Sequence, residues 1–167
     1  MQLLKTFHIA VHWGICLATY PFFNEVVRQI GRLSNLQERF TFDQVRRRVV
    51  EGWGDTERVQ RSVRHIVQTL RDWDVLISEE RKGTYSKNTP ILIEKPALKA
   101  WLIEAQLISN GAGAISLRTA LEGPTLFPFK IGHIAAKELE KNHRLTVFRH
   151  ALDEDMVALS QRTKSLP

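Results

Sequence analysis

Residues 40–93 read FTFDQVRRRVVEGWGDTERVQRSVRHIVQTLRDWDVLISEERKGTYSKNTPILI, and this stretch decides the fold. It contains two helix-like segments separated by glycines, then two short apolar segments on either side of a polar loop. Thr41 and Gln44 have the spacing of a capping box, in which the two side chains satisfy each other's backbone donors. The first helix of the stretch is therefore predicted to begin directly after Thr41.

A longer helix is predicted from Thr56 to Trp73. We expect the turn before it at Glu51–Asp55, because this segment contains two glycines. The apolar residues of the longer helix recur at spacings of three, four and seven: Val59, Val63, Ile66, Val67, Leu70 and Trp73. At about 100° per residue they cover roughly 120° of arc, which predicts one buried face.

Basic and polar side chains lie on the other side of this helix. They are Arg58, Arg61, Arg64, His65 and Gln68. These are side-chain types that reach base edges and phosphates. Arg46, Arg47 and Arg48 flank the shorter helix in the same way. Two helices that meet at a turn would therefore present one positive surface.

A small hairpin is predicted after the longer helix. We expect a strand at Val75–Ser78 and its partner at Ile91–Ile93, with Gly83 in the polar loop between them. The loop adds three cations, Arg81, Lys82 and Lys87. The order is thus helix, turn, longer helix and basic hairpin.

The net charge agrees with an acidic partner. The chain of 167 residues carries a formal charge of +6 and has a sequence pI of about 9.8. Nucleic acid is the most common acidic partner of such proteins, although many basic proteins bind none. The hydrophobic content of 43% is that of an ordinary globular protein.

Residues 40–93 resemble the winged helix-turn-helix superfamily, and the helix before them would serve as its first helix. The resemblance is to a fold and identifies no particular family. It implies a recognition helix at Thr56–Trp73 and a wing at Glu79–Asn88. The expected fold class is mainly α: a winged helix-turn-helix core with a small β-hairpin wing and helical extensions at both ends. Residues 1–95 would form the amino-terminal helices and the winged helix-turn-helix domain, and residues 96–167 a helical extension that packs on the first part or forms a dimer or partner interface.

The resemblance favours a non-catalytic protein that binds double-stranded DNA, either a regulator or the DNA-reading subunit of a larger complex. Phosphates would be contacted by Arg46–Arg48, Arg81, Lys82 and Lys87, and the groove by the longer helix. The alternative is a winged-helix scaffold subunit, as in chromosome-maintenance or phage-defence complexes, that reads no DNA. A scaffold would pair its arginines with acidic neighbours, whereas a DNA reader would leave Arg61, Arg64 and Lys82 unpaired on one side. We also expect a homodimer or other protein subunits as partners.

Further helices are predicted on both sides of residues 40–93. The expected helices are residues 6–19 capped by Thr6, Phe22–Leu36, Pro96–Ser109, Ser116–Leu121 and Ile131–Asn142. Leu145–Phe148 fits either a strand or the start of a helix, and the acidic run Asp153–Asp155 is typical of a helix N-terminus. We expect Trp13, Trp53, Trp73 and Trp101 to be core residues, and Leu126–Phe129 to lie in the core rather than on the surface.

The sequence contains little that suggests catalysis or a cofactor. A phosphate loop and a nucleophile elbow are both missing, and Glu94-Lys95 after a strand falls short of a nuclease motif. His8, His12 and Cys16 follow one helical stripe, and His133, His143 or His150 would be candidates for a fourth zinc ligand. Packing residues are the better interpretation, so we expect no metal, no cofactor and no enzyme.

The amino-terminal apolar segment stops at Pro21 and is shorter than a membrane span. It also lacks the features of a signal peptide. A single cysteine excludes an internal disulfide. The expected location is therefore the cytoplasm, with no membrane partner.

Overall fold

The structure is a computed structural model that describes residues 2–111, 113–150 and 154–160. For residues 2–5 and 150 it describes the backbone only. It divides into two compact units. The central unit comprises Tyr20–Leu92 and Pro124–Lys130, and the terminal unit comprises Met1–Thr19, Ile93–Gly123 and Ile131–Pro167. The first helix therefore belongs to the same unit as the carboxy-terminal segments, although the sequence suggested a division at residue 95.

The fold is mixed α/β. In the described ranges the α-helices are α1 (Gln2–Thr19), α2 (Pro21–Leu36), α3 (Phe42–Trp53), α4 (Glu57–Asp72), α5 (Pro96–Asn110), α6 (Leu117–Glu122) and α7 (Ala136–Leu139). The strands are β1 (Arg39–Thr41), β2 (Leu76–Ser78), β3 (Thr84–Lys87), β4 (Ile91–Ile93), β5 (Ala114–Ser116), β6 (Phe129–Ile131), β7 (Leu145–His150) and β8 (Glu154–Leu159). All the strand pairs with a described register are antiparallel.

The central unit runs α2, β1, α3, α4, β2, β3, and its three strands form a sheet in the order β1-β3-β2. The predicted hairpin partner was wrong. β2 pairs with β3, in which Tyr85 lies opposite Ser78 and Phe40, whereas Ile91–Ile93 pairs with β6. Gly83 adopts a positive φ of 77°, which allows the chain to reverse much sooner than predicted.

Apolar side chains from three helices fill the core of the central unit. Val45 and Val49 of α3 and Val63, Val67 and Leu70 of α4 are all buried, as their periodicity predicts. They meet the apolar face of α2, which consists of Phe23, Val26, Val27, Ile30 and Leu33. Full burial of each such side chain contributes roughly 1.5–3 kcal/mol, so this core holds the α3–α4 pair in place.

A close backbone contact fixes α2 from its other side. A Cβ atom placed on Gly31 would lie 1.9 Å from the carbonyl oxygen of Pro124. Glycine at position 31 thus lets the short 3₁₀-helix Pro124–Leu126 approach α2 directly. Leu126 and Phe129 are buried, which confirms that the Leu126–Phe129 segment belongs to a core.

The turn between α3 and α4 is shorter than predicted. α3 continues through Gly52 to Trp53, so that only Gly54, Asp55 and Thr56 separate the two helices. Gly54 takes a positive φ of 81°, the conformation that a glycine after a helix commonly supplies. Trp53, at the end of the lengthened α3, is 44% exposed, and its ring lies edge-on to that of Phe22. The prediction that Trp53 is a core residue was therefore wrong.

In the terminal unit α1 packs on α5, which is buried along most of its length. The Trp101 indole N–H donates to the Ala10 carbonyl at 3.3 Å, and Gly14 leaves room for that ring. Trp13 is fully buried. The helix begins at Gln2, so Thr6 lies inside it and does not cap it as predicted.

Two buried charged residues of α5 hold the chain that follows. Lys99 is 8% exposed, and its ammonium donates to the Gly132 and His133 carbonyls. Glu104 is 3% exposed and accepts from the Arg144 guanidinium at 2.7 Å. Buried charges need such partners, because leaving one unpaired costs far more than an exposed charge would.

The carboxy-terminal part is not the helical extension that was predicted. The helix expected at Ile131–Asn142 is reduced to Ala136–Leu139. Of the acidic run expected to start a helix, Asp153 lies outside the described residues, and Glu154 and Asp155 begin the strand β8 instead. β8 lies between β5 and β7 in an antiparallel sheet, so Leu145–Phe148 resolves as part of a strand. Val157 and Leu145 lie in one hydrophobic core with Ile103 and Leu107. Alternate residues of a strand point to the same face, so strands can bury these apolar side chains on one side of the sheet.

Over the residues that the structure describes, none of the helices combines the length and the apolar character required to cross a membrane.

Candidate nucleic-acid interface

Helix caps position the predicted binding residues on α3 and α4. The Thr41 hydroxyl accepts from the Gln44 backbone N–H at 3.2 Å, and the Gln44 carboxamide oxygen accepts from the Thr41 N–H at 2.8 Å. This confirms the predicted capping box. The Thr56 hydroxyl accepts from the Val59 N–H at 3.2 Å and caps α4. Each such cap contributes about 1 kcal/mol and fixes where its helix begins.

The polar face of α4 is open to solvent. All five predicted residues on it are exposed: Arg58, Arg61, Arg64, His65 and Gln68. Residues three or four positions apart are neighbours on a helix surface, so these side chains form one continuous stripe. The buried valines and leucine on the opposite side hold this stripe outward.

Several members of the α4 stripe have partners within the protein. Arg61 forms an ion pair with Glu57, and the Gln68 amide donates to Asp72 at 2.8 Å. The side chains of Arg61 and Glu57 are 65% and 85% exposed, so their pair contributes little and a phosphate can replace the carboxylate. Arg58 and His65 make no side-chain hydrogen bond or ion pair with any described residue.

Arg64 connects α4 to the start of α3. Its guanidinium carbon lies 5.7 Å from the centroid of the Phe42 ring, a cation–π distance. The sequence pattern assigned Phe42 to the core stripe of α3, yet its ring is only half-buried. Phe42 was therefore missed as a site residue, and only its proximity to Arg64 identifies it.

A cleft of about 420 Å³ lies beside Phe42, between the start of α3 and the β2–β3 turn. Arg47, Arg81 and Lys82 line it together with Gly83. Two features of the backbone join these segments: the Phe42 N–H donates to the Gly83 carbonyl at 2.8 Å, and β1 pairs with β3. Residues far apart in sequence are thus held at one site.

We call the basic surface the six cations that lie on the exposed face of α4 or line this cleft. They are Arg47, Arg58, Arg61, Arg64, Arg81 and Lys82. Arg47, Arg81 and Lys82 are exposed, and their side chains make no hydrogen bond or ion pair within the described ranges. Lys82 is unpaired as a DNA reader requires, whereas Arg61 and Arg64 each have a protein contact.

The structure separates three other predicted cations from the basic surface. Arg46 is directed to acidic neighbours, with distances of 3.6 Å to both Asp43 and Asp55. Arg48 is half-buried and does not line the cleft. Lys87 ends β3, three residues from the cleft residue Thr84, or about 10 Å along an extended strand.

The structure brings no further metal-ligating side chains to the histidines and the cysteine of α1 within the described residues. Over the described residues, no group of three or more His, Cys, Asp or Glu side chains has a metal-binding arrangement. His8 and His12 are exposed, while Cys16 is half-buried. Burial raises the pKa of the Cys16 thiol above its ordinary value, which disfavours the thiolate that a metal needs. His150 lies outside the residues whose side chains are described.

Comparison with protein-family models, with curated proteins and with solved structures finds no match to this chain.

Proposed function

We propose that this protein is a non-catalytic double-stranded DNA-binding protein built on a winged helix-turn-helix, either a regulator or the DNA-reading subunit of a larger complex. The central unit has the element order of that fold, with α4 as recognition helix and the β2–β3 turn as wing. The cytoplasm remains the expected location. A homodimer, or assembly with other subunits, remains the expected state.

The observation that carries the proposal is the continuity of the basic surface. Arg64 on Phe42 connects the α4 stripe to the cleft, where Arg47, Arg81 and Lys82 have no hydrogen-bond or ion-pair partner among the residues that the structure describes. In such a geometry the recognition helix enters the major groove while the other elements contact phosphates. Phosphate contacts supply affinity, and contacts to base edges supply specificity.

The alternative of a winged-helix scaffold subunit retains support from the ion pairs. Arg46 lies near two acidic residues and Arg61 is paired with Glu57, which is the pattern expected of a scaffold. These pairs do not involve the cleft cations, however, which make no ion pair with any described residue. We therefore favour DNA as the partner.

The experiment is a fluorescence-anisotropy titration of a labelled mixed-sequence duplex with the wild-type protein and the Arg61→Ala/Arg64→Ala variant. The matched control is Arg118→Ala/Lys137→Ala, which removes the same charge from exposed positions of the terminal unit. Arg118 is paired with Glu122 at spacing i, i+4, just as Arg61 is with Glu57.

We expect the α4 variant to bind at least tenfold more weakly, because each charge-assisted hydrogen bond lost costs about 1.5–3 kcal/mol. The control should bind like the wild type. Absence of duplex binding by the wild type at 50 mM salt would refute the DNA-binding proposal and support the scaffold. Equal losses in both variants would show that only net charge matters and would remove α4 from the interface.

A further inference from the structure

A second cleft, of about 430 Å³, lies in the terminal unit and plays no part in the basic surface. It is formed where the first turn of α5 meets α7 and the turn that follows. Its lining residues are Pro96, Ala97, Ala100, Glu138, Lys141 and Asn142. The volume falls in the range of roughly 300–1,000 Å³ that is usual for small-molecule sites.

One acidic and one basic side chain line this cleft. Glu138 is half-buried and Lys141 is exposed, and they stand three residues apart. Neither side chain makes an ion pair or a hydrogen bond with any described residue. Some other acids and bases at such spacings do pair, as Arg118 does with Glu122 and Arg61 with Glu57.

The other residues that line the cleft are either apolar or held in place by hydrogen bonds. Pro96, Ala97 and Ala100 present small apolar surfaces along one side of α5, and Ala100 is buried. The Asn142 side chain is already engaged on both of its ends. Its amide donates to the Glu104 carboxylate at 3.3 Å, and its carbonyl oxygen accepts from the Arg144 N–H at 3.0 Å. Asn142 is thus a rigid wall of the cleft.

We propose that this cleft binds a small zwitterion with an apolar side chain, of which a free amino acid is the simplest example. Lys141 receives the carboxylate, Glu138 receives the ammonium group, and Pro96, Ala97 and Ala100 contact the apolar portion. A simple anion or a simple amine would satisfy one of the two charges and leave the other unpaired beside it. A zwitterion satisfies both.

The test is isothermal titration of the full chain with L-leucine, L-methionine and L-phenylalanine at millimolar concentration. Two analogues dissect the charges: 4-methylpentanoate is leucine without its ammonium group, and 3-methylbutylamine is leucine without its carboxylate. We expect at least one amino acid to bind. Where leucine binds, each analogue should bind about tenfold more weakly or worse, since a hydrogen bond to a charged group is lost.

Five variants locate the site. Lys141→Ala and Glu138→Gln should each lower the affinity about tenfold, whereas Lys137→Ala and Glu140→Gln, at exposed neighbouring positions that do not line the cleft, should leave it unchanged. Ala97→Leu fills the cleft from an exposed position and should abolish binding while the circular-dichroism spectrum stays that of the wild type.

Three results would overturn the proposal. The first is the absence of binding by all three amino acids. The second is binding of either analogue as tight as that of leucine, and the third is an equal loss of affinity in the control variants. None of these outcomes bears on DNA binding, which the duplex titration tests separately.

Discussion

The salt dependence of duplex binding counts the cations that contact phosphate. For duplex DNA, the logarithm of the binding constant falls by about 0.9 per phosphate contact for each unit of log salt. The basic surface has six cations, and a cation in the groove displaces counterions from nearby phosphates as one on the backbone does, so with one phosphate neutralised by each the slope should be about −5.4. Between 0.1 and 0.3 M salt the binding constant would then fall roughly 400-fold.

Two other contact sets give different numbers. If only Arg58, Arg61 and Arg64 of α4 made contacts, the slope would be about −2.7 and the fall roughly 20-fold. If all nine cations named from the sequence made contacts, the slope would be about −8.1 and the fall roughly 7,000-fold. The structure predicts the middle value, because Arg46 lies beside two carboxylates and because Arg48 and Lys87 do not line the cleft.

The assay is fluorescence anisotropy on one labelled duplex at five or more salt concentrations between 0.1 and 0.3 M. The Arg47→Ala/Arg81→Ala/Lys82→Ala variant should lower the slope by about 2.7, since it removes three phosphate contacts. Lys87→Ala should leave the slope unchanged. A wild-type slope near −2.7 together with an unaltered slope in the triple variant would refute the participation of the cleft.

Further predictions concern stability and reactivity. Gly31→Ala should destabilise by about 1–3 kcal/mol through overpacking, whereas Gly52→Ala, which meets nothing within 4 Å, should stabilise by roughly 0.5–1 kcal/mol; thermal melts that rank the variants in the opposite order would contradict this. Arg144→Ala should cost about 1–3 kcal/mol because its partner carboxylate is buried, and Arg118→Ala about 0.5 kcal/mol or less, as measured by urea unfolding. Cys16, whose raised pKa disfavours the thiolate, should react with a disulfide reagent at pH 8 more slowly in the native protein than in denaturant; equal rates would contradict its burial.

Local signals made α3 and α4 predictable. The capping box at Thr41 and the apolar repeat from Val63 to Leu70 are properties of neighbouring residues, and the structure reproduces both. The end of α3 was missed because Gly52 looked like part of the turn. It lies inside the helix instead, since the positive φ needed to end the helix is supplied two residues later by Gly54.

Pairing between distant segments accounts for the larger errors. β3 reads TYSK, a polar segment without apolar alternation, and becomes a strand because β1 and β2 pair with its two edges. β8 begins within an acidic run that resembles a helix start, yet its pairing with both β5 and β7 outweighs that local signal. Strand preference depends on such neighbours more than helix preference does.

The candidate site shows the same division. Its individual residues could be proposed from the sequence, because the helical spacing alone shows arginines opposite an apolar stripe. Which of them act together could not be proposed, since Arg47 meets Arg81 and Lys82 only through the register of β1 with β3. Arg64 joins them only because Phe42 leaves part of its ring uncovered.

The way these elements are joined bears on how DNA would be bound. The backbone hydrogen bond from Phe42 to Gly83 and the β1–β3 pairing hold the cleft residues in fixed relation, so little ordering is required when a phosphate enters. On α4, by contrast, Arg61 must leave Glu57 before it can reach a phosphate or a base. The cleft is therefore suited to sequence-independent affinity, and α4 to a choice among duplexes, because its exposed side chains are of the types that reach base edges.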